Sequence, residues 1–200
     1  IFAHDMEEII GLIQSDLRRF EETKHLAQFM ENLKTRISEA KDLISIDTRL
    51  SKLEEEQAEL YETNLIKVAR KSIKQIQQKY PERNISISLE SPEKDLTVKA
   101  NALLLEVFIG ILDSCVKSNE EHEVEIKIIV FKNQRDDGVF LKVEFVDFSE
   151  IQKKEVLNQE GDQKTRGILF GYILVQRILD YFNGDIWVEG NNFVILIPEA

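Results

Sequence analysis

The sequence predicts two successive domains: a helical hairpin that pairs with a second copy into a four-helix bundle, then a mixed α/β domain. Three observations predict it. From Phe2 to Leu53 apolar residues recur at three- and four-residue steps, with no proline to interrupt them. A polar stretch carrying Glu54, Glu55, Glu56, Glu59 and Glu62 then breaks the pattern. Beyond it, helical periods alternate with short runs of period two separated by turn residues.

The first helix carries Phe2, Met6, Ile9, Ile13, Leu17 and Phe20 as one narrow stripe at the helical period. His4 falls about 200° from Phe2 by the same period and points away from the stripe. Glu21 to Lys24 break the apolar pattern as a helix–helix turn. The second helix is marked by Leu26, Met30, Leu33, Ile37, Ala40 and Ile44 and continues through Ile46, Leu50 and Leu53. One hairpin buries a single stripe per helix, whereas two hairpins packed together bury both, so a homodimer is expected. The domain boundary falls in the glutamate-rich stretch, giving residues 1–58 and 59–200.

In the second domain, Leu65, Ala69, Ile73, Ile76 and Tyr80 define a helix stopped by Pro81. Ile85, Ile87 and Leu89 alternate as a strand, and Leu96 and Val98 start another. A helix follows over Asn101 to Lys117, with Leu104, Phe108, Ile111 and Cys115 on one face. Val124, Ile126 and Ile128, then a turn over Asn133 to Gly138, then Val143 and Phe145 predict a hairpin. A polar connector covers Ser149 to Arg166, and a helix from about Gly171 to Phe182 is closed by Asn183-Gly184. Two strands, Asp185–Glu189 and Phe193–Ile197, end the chain, with Trp187 expected in the core.

Composition excludes several functions. The formal net charge of -11 and the absence of a basic run disfavour nucleic acid and anionic membranes. No apolar run approaches the ~20 residues that span a bilayer. Cys115 is the single cysteine, so no intrachain disulfide forms, which fits a reducing compartment. No His/Cys/Asp cluster has metal-ligand spacing. The chain begins at Ile1, inside a helical pattern, and is expected to be a piece of a longer protein.

Four segments in order resemble the transmitter core of a two-component sensor histidine kinase. Phe2-Ala3-His4-Asp5-Met6 is similar to the box that holds the phospho-accepting histidine. Leu96 to Lys117, with Val98-Lys99-Ala100-Asn101 leading into Leu104-Leu105-Glu106-Val107-Phe108, resembles the strand and helix of the N box. Val143-Glu144-Phe145-Val146-Asp147 resembles the strand ending in the adenine-binding aspartate of the G1 box. Gly167 to Glu189 resembles the G2 box, its helix and the following strand. The resemblance implies a dimerisation and phosphoacceptor hairpin over 1–58, joined to a GHKL/Bergerat-type α/β sandwich over 59–200. It also implies a cytoplasmic protein, a response-regulator receiver domain as partner, an upstream sensor domain, and ATP with Mg²⁺ as cofactors.

Within that resemblance His4 is the phosphoacceptor, because an imidazole nitrogen can attack a phosphoryl group and hold it covalently. Asp5 is placed to hydrogen-bond the other ring nitrogen and fix the tautomer. The fourth position after the histidine is Glu8, which cannot donate to a water or phosphoryl oxygen, so weak or absent phosphatase activity is expected. The nucleotide boxes depart from the family pattern. Gly110 and Ser114 stand where two asparagines are usual, and only Ser114 keeps an oxygen for a metal. Asp147 is retained for the adenine amino group, but the glycines after it are replaced by Phe148-Ser149-Glu150-Ile151. Gly167 and Gly171 are retained for close approach of the backbone to phosphates, while Leu169 replaces the glycine between them. Losing three or four charged contacts amounts to more than ~5 kcal/mol, roughly four decades in affinity. Three functions remain open: a divergent kinase acting on His4, an ATP-independent histidine phosphotransferase, and a regulatory pseudokinase that transfers nothing.

Overall fold

In a computed structural model the chain divides into two units, Ile1–Ala58 and Glu59–Ala200. The structure describes residues 2–23, 25–34, 36–37, 40–41, 44, 48, 59–119, 122–135, 138–147 and 163–200, with the backbone alone at 2–5, 8, 21–23 and 163–171.

In the first unit, α1 (Phe2–Thr23) is followed by α2, helical over residues 26–34 and at the described positions 36–37, 40–41, 44 and 48. The two helices run antiparallel. Phe20 stacks on Phe29 with ring centroids 5.0 Å apart. One step further from the turn, Asn32 Nδ2 donates to Asp16 Oδ1 at 2.9 Å, and Arg36 Nε lies 3.7 Å from Asp16 Oδ2. The expected single stripe is in fact shared between two sides. Ile9 is buried and Leu33 and Ala40 are half-buried. Leu17, Leu26, Met30, Ile37 and Ile44 are 44–58% exposed, as is Ile10 beside the stripe. Their spacing explains this. Ile10 and Leu17, and then Met30, Ile37 and Ile44, recur every seven residues, which makes a second apolar row beside the first.

The second unit is a sheet covered on one face by helices. The strands β2 (Asn84–Glu90), β4 (Glu123–Arg135), β5 (Gly138–Asp147), β6 (Asp185–Glu189) and β7 (Asn192–Pro198) form a sheet of order β2-β4-β5-β7-β6. Among the described residues only β2 and β4 pair in parallel. The helices are α3 (Leu65–Lys79), α4 (Leu104–Ser118) and α5 (Gln163–Tyr181). Alternation in β4 and β5 turns Ile126, Ile128, Val130, Leu141, Val143 and Phe145 inward, all at most 2% exposed. Phe108 of α4 meets Phe145 edge-on with centroids 5.3 Å apart, which fixes α4 over β5. Asn64 caps α3, its side chain accepting from the Lys67 N–H at 2.8 Å. Arg83 closes the other end of the layer, donating to the carbonyls of Val116 at 2.6 Å and Asn119 at 3.0 Å, at the C-terminus of α4.

Several expectations are corrected. Residues placed in the polar boundary form β1 (Tyr61–Asn64), paired antiparallel with β3 (Thr97–Ala100) from Tyr61↔Ala100 to Asn64↔Thr97. Helix α4 starts at Leu104 rather than Asn101, whose side chain instead accepts from the Leu103 N–H at 3.0 Å. The turn expected over Asn133 to Gly138 is shorter, because strand pairing continues to Arg135↔Gly138. Helix α5 starts at Gln163 rather than about Gly171. At its end Asn183 takes the left-handed conformation (φ 55), and Gly184 donates to the Leu179 carbonyl at 2.7 Å. Glycine is required at 184 for space: a Cβ there would stand 2.5 Å from the Leu196 carbonyl oxygen of β7. Trp187 lies on the outer face of the sheet, half-buried, with Nε1 donating to Glu189 at 2.8 Å.

Candidate functional site

The residues singled out by sequence fall into two groups. His4 and Asp5 lie near the start of α1, and their side chains, like that of Glu8, lie outside the described residues. The other group surrounds α4. Its apolar residues are drawn into the core, which turns Ser114 and Ser118, one helical turn apart, toward a common side. Asp147 ends β5 and is 4% exposed. The Ser118 hydroxyl lies 3.4 Å from Asp147 Oδ2 and also donates to the Cys115 carbonyl at 2.9 Å. Sequence reasoning passed over Ser118. Its signal was the four-residue step from Ser114, which repeats a small hydroxyl along the otherwise largely apolar buried side of the helix.

Ser114 is 5% exposed and donates to the carbonyl of Gly110, four residues back, at 2.8 Å. Its proton is thus held within the helix, and the residue at 110 has no side chain to add. Asp113, the remaining oxygen donor of this turn, faces α3. It accepts from Lys79 at 2.5 Å, Tyr80 at 2.7 Å and Lys117 at 2.9 Å. Burial alone pushes the Asp113 carboxyl up. The Lys117 charge and the bonds from Lys79, Lys117 and Tyr80 outweigh it, and the net direction is down. The same contact, after burial, pushes the Tyr80 hydroxyl up. Asp113 therefore clamps α3 to α4.

Gly167 and Gly171 lie within α5. Gly167 lies four residues along from Gln163 in α5, so the N–H groups from Gly167 onward point along the helix to carbonyls four residues earlier. The part of the expected polar connector before α5, residues 149–162, lies outside the described ones. Among the described residues no group of three or more His, Cys, Asp and Glu side chains could hold a metal ion, and no helix is long and apolar enough to cross a membrane. An open groove of about 1000 Å³ sits at the turn of the hairpin, lined by Asp16, Arg19, Phe20, His25 and Asn32 among others, and holds none of the residues above.

No family model and no curated protein matches the chain. Solved structures do. The nucleotide-free catalytic domain of histidine kinase ThkA aligns at a TM-score of 0.54 and 23% identity, over 70% of this chain and 98% of that one. Histidine kinase AdeS of Acinetobacter baumannii aligns at 0.56 and 16% identity, over 98% of this chain and 97% of that one. ThkA in complex with response regulator protein TrrA aligns at 0.60 and 21% identity, over 99% of this chain and 60% of that one. The chain has the fold of histidine kinase catalytic domains.

Proposed function

We propose that the chain is a two-component transmitter in which His4 takes a phosphoryl group and passes it to an aspartate of a response-regulator receiver domain. The observation that carries this reading is the extent of the fold likeness. It takes in 98% of this chain against AdeS, so the hairpin bearing His4-Asp5 belongs to it as well as the α/β unit. The structure of ThkA in complex with a response regulator supports a receiver as the partner. A homodimer joined as a four-helix bundle is part of the proposal. The heptad-spaced row of Ile10, Leu17, Met30, Ile37 and Ile44 is the apolar surface it would cover.

The chemistry asked of the hairpin is exchange between histidine and aspartyl phosphate. A neutral ring nitrogen of His4 attacks phosphorus, the N–P bond forms, and the bond to the aspartate oxygen breaks, leaving the carboxylate. The other ring nitrogen keeps its proton, and Asp5 is the proposed acceptor of that N–H.

The residues around α4 divide over ATP and Mg²⁺. Asp147, buried at the end of β5, suits an adenine amino group. The phosphate and metal half does not fit: Ser114 is bonded to Gly110, Asp113 is held by two lysines and a tyrosine, and the N–H groups of Gly167 to Gly171 lie in a helix. These observations favour a second reading over an ordinary kinase: phosphotransfer through His4 without ATP, the α/β unit acting as a scaffold.

Labelled ATP with Mg²⁺ and a labelled phosphoreceiver, offered separately, test the proposal. Acid-labile, base-stable label from the phosphoreceiver but not from ATP supports phosphotransfer. Label from ATP, lost in His4→Gln, supports a kinase. No label from either leaves a pseudokinase and defeats the proposal.

A further inference from the structure

Along the chain, acidic residues outnumber basic ones and no basic run stands out, yet α3 carries cations and no acid. Over Leu65–Lys79, α3 carries Lys67, Arg70, Lys71, Lys74 and Lys79 and no acid, in a protein of formal net charge -11. The helix buries Leu65, Ile66, Ala69, Ser72 and Ile76, so its cations are forced to the opposite side. Lys67 stands three and four residues before Arg70 and Lys71, Lys74 three and four after Lys71 and Arg70, and all four are exposed. Lys79 is tied to Asp113, but among the described residues none of the other four makes an ion pair. Like charges at these spacings repel, and no ion pair among the described residues offsets them.

We propose that this face of α3 is a docking surface for a protein partner that presents an acidic patch. The inference does not rest on the phosphotransfer reading.

The stripe is too small for the other polyanions. From Lys67 to Lys74 it spans about 10 Å, whereas tight binding of duplex DNA neutralises roughly six to ten phosphates. No aromatic side chain lies among the exposed residues of the helix to stack on unpaired bases. Insertion into a bilayer would need the apolar side of the helix, and that side is buried in its own unit, leaving only about 1 kcal/mol per cation toward anionic headgroups. The acidic remainder of the chain also opposes approach to an extended negative surface. It does not oppose a patch confined to a few turns, since charges more than about 8 Å apart are screened at physiological salt. Two rows of carboxylates on a partner helix, spaced three and four apart, match the stripe.

The test uses the full chain, labelled with ¹⁵N, and three probes: a helical peptide with glutamates spaced three and four apart, a short DNA duplex, and phosphatidylserine vesicles. Expected are shifts of the amide signals of α3 with the peptide, weakened by salt. Affinity should fall roughly tenfold in a variant combining Lys67→Gln, Arg70→Gln, Lys71→Gln and Lys74→Gln, whose melting temperature shows that it folds. The proposal is overturned by peptide shifts that map elsewhere, by equal binding of the variant, by tighter binding of duplex or vesicles, or by no binding at all.

Discussion

The hydroxyl of Ser118 lies 3.4 Å from the carboxylate of Asp147, joining the last turn of α4 to the last residue of β5 inside the core. The contact is long and the hydroxyl is shared with the Cys115 carbonyl. Ser118→Ala should cost about 1 kcal/mol, the net worth of one such bond. Asp147→Ala should cost more, because the buried hydroxyl and the emptied space both remain. Urea unfolding of the two variants against the parent measures the order.

Asp113 gives stability that depends on pH. Its folded value lies below the unfolded one, which is near 4. The contribution is therefore complete above the unfolded value and is lost as pH falls through the folded one. Asp113→Asn should destabilise by about 1–2 kcal/mol at neutral pH. The gap should narrow as pH falls through the folded value, where the parent loses the same charge. Urea melts over a descending pH series give the comparison.

At the end of α5, Gly184→Ala should destabilise by about 1–3 kcal/mol, since the added carbon meets backbone of β7 and neither strand nor helix end can give way cheaply. Asn183→Gly should be near neutral, because the left-handed backbone there suits glycine at least as well. Thermal melts of both variants separate the need for space from the need for a left-handed residue.

The outward row on the hairpin makes Ile37 and Ile44 sensitive positions. If a second copy covers them, Ile37→Asp with Ile44→Asp places carboxylates in a desolvated seam and should yield a monomer at concentrations where the parent is dimeric. Sedimentation velocity reads this directly.

Where pattern and burial coincide, the fold was legible. Alternation predicted β2, short apolar runs either side of Gly190-Asn191-Asn192 predicted β6 and β7 to within a residue or so, and the 3.6-residue period with Pro81 predicted α3. β1 was hidden because Tyr-Glu-Thr-Asn is short and polar, and its pairing with β3 lies far along the chain. The start of α5 was hidden because Gly167 and Gly171 argue locally against a helix that the structure nevertheless forms. Trp187 was expected in the core from its place in a strand, but the alternation of β6 puts Ile186 and Val188 in the core and turns the indole out. In the candidate site, the sequence showed which residue types had changed at 110 and 114. That the Ser114 proton is bonded to its own helix depends on rotamer and packing, which sequence does not state. The basic stripe was likewise invisible as a run and appears only once α3 is wound.

The most direct measurement concerns His4. After incubation with a phosphorylated receiver domain and no nucleotide, mass spectrometry of the intact chain and of its N-terminal peptide should find one phosphoryl group, located on His4, stable in base and lost in acid. The His4→Gln protein should carry none. A phosphoryl group on another residue, or an unmodified chain with a receiver that still turns over its phosphate, would contradict the proposed transfer.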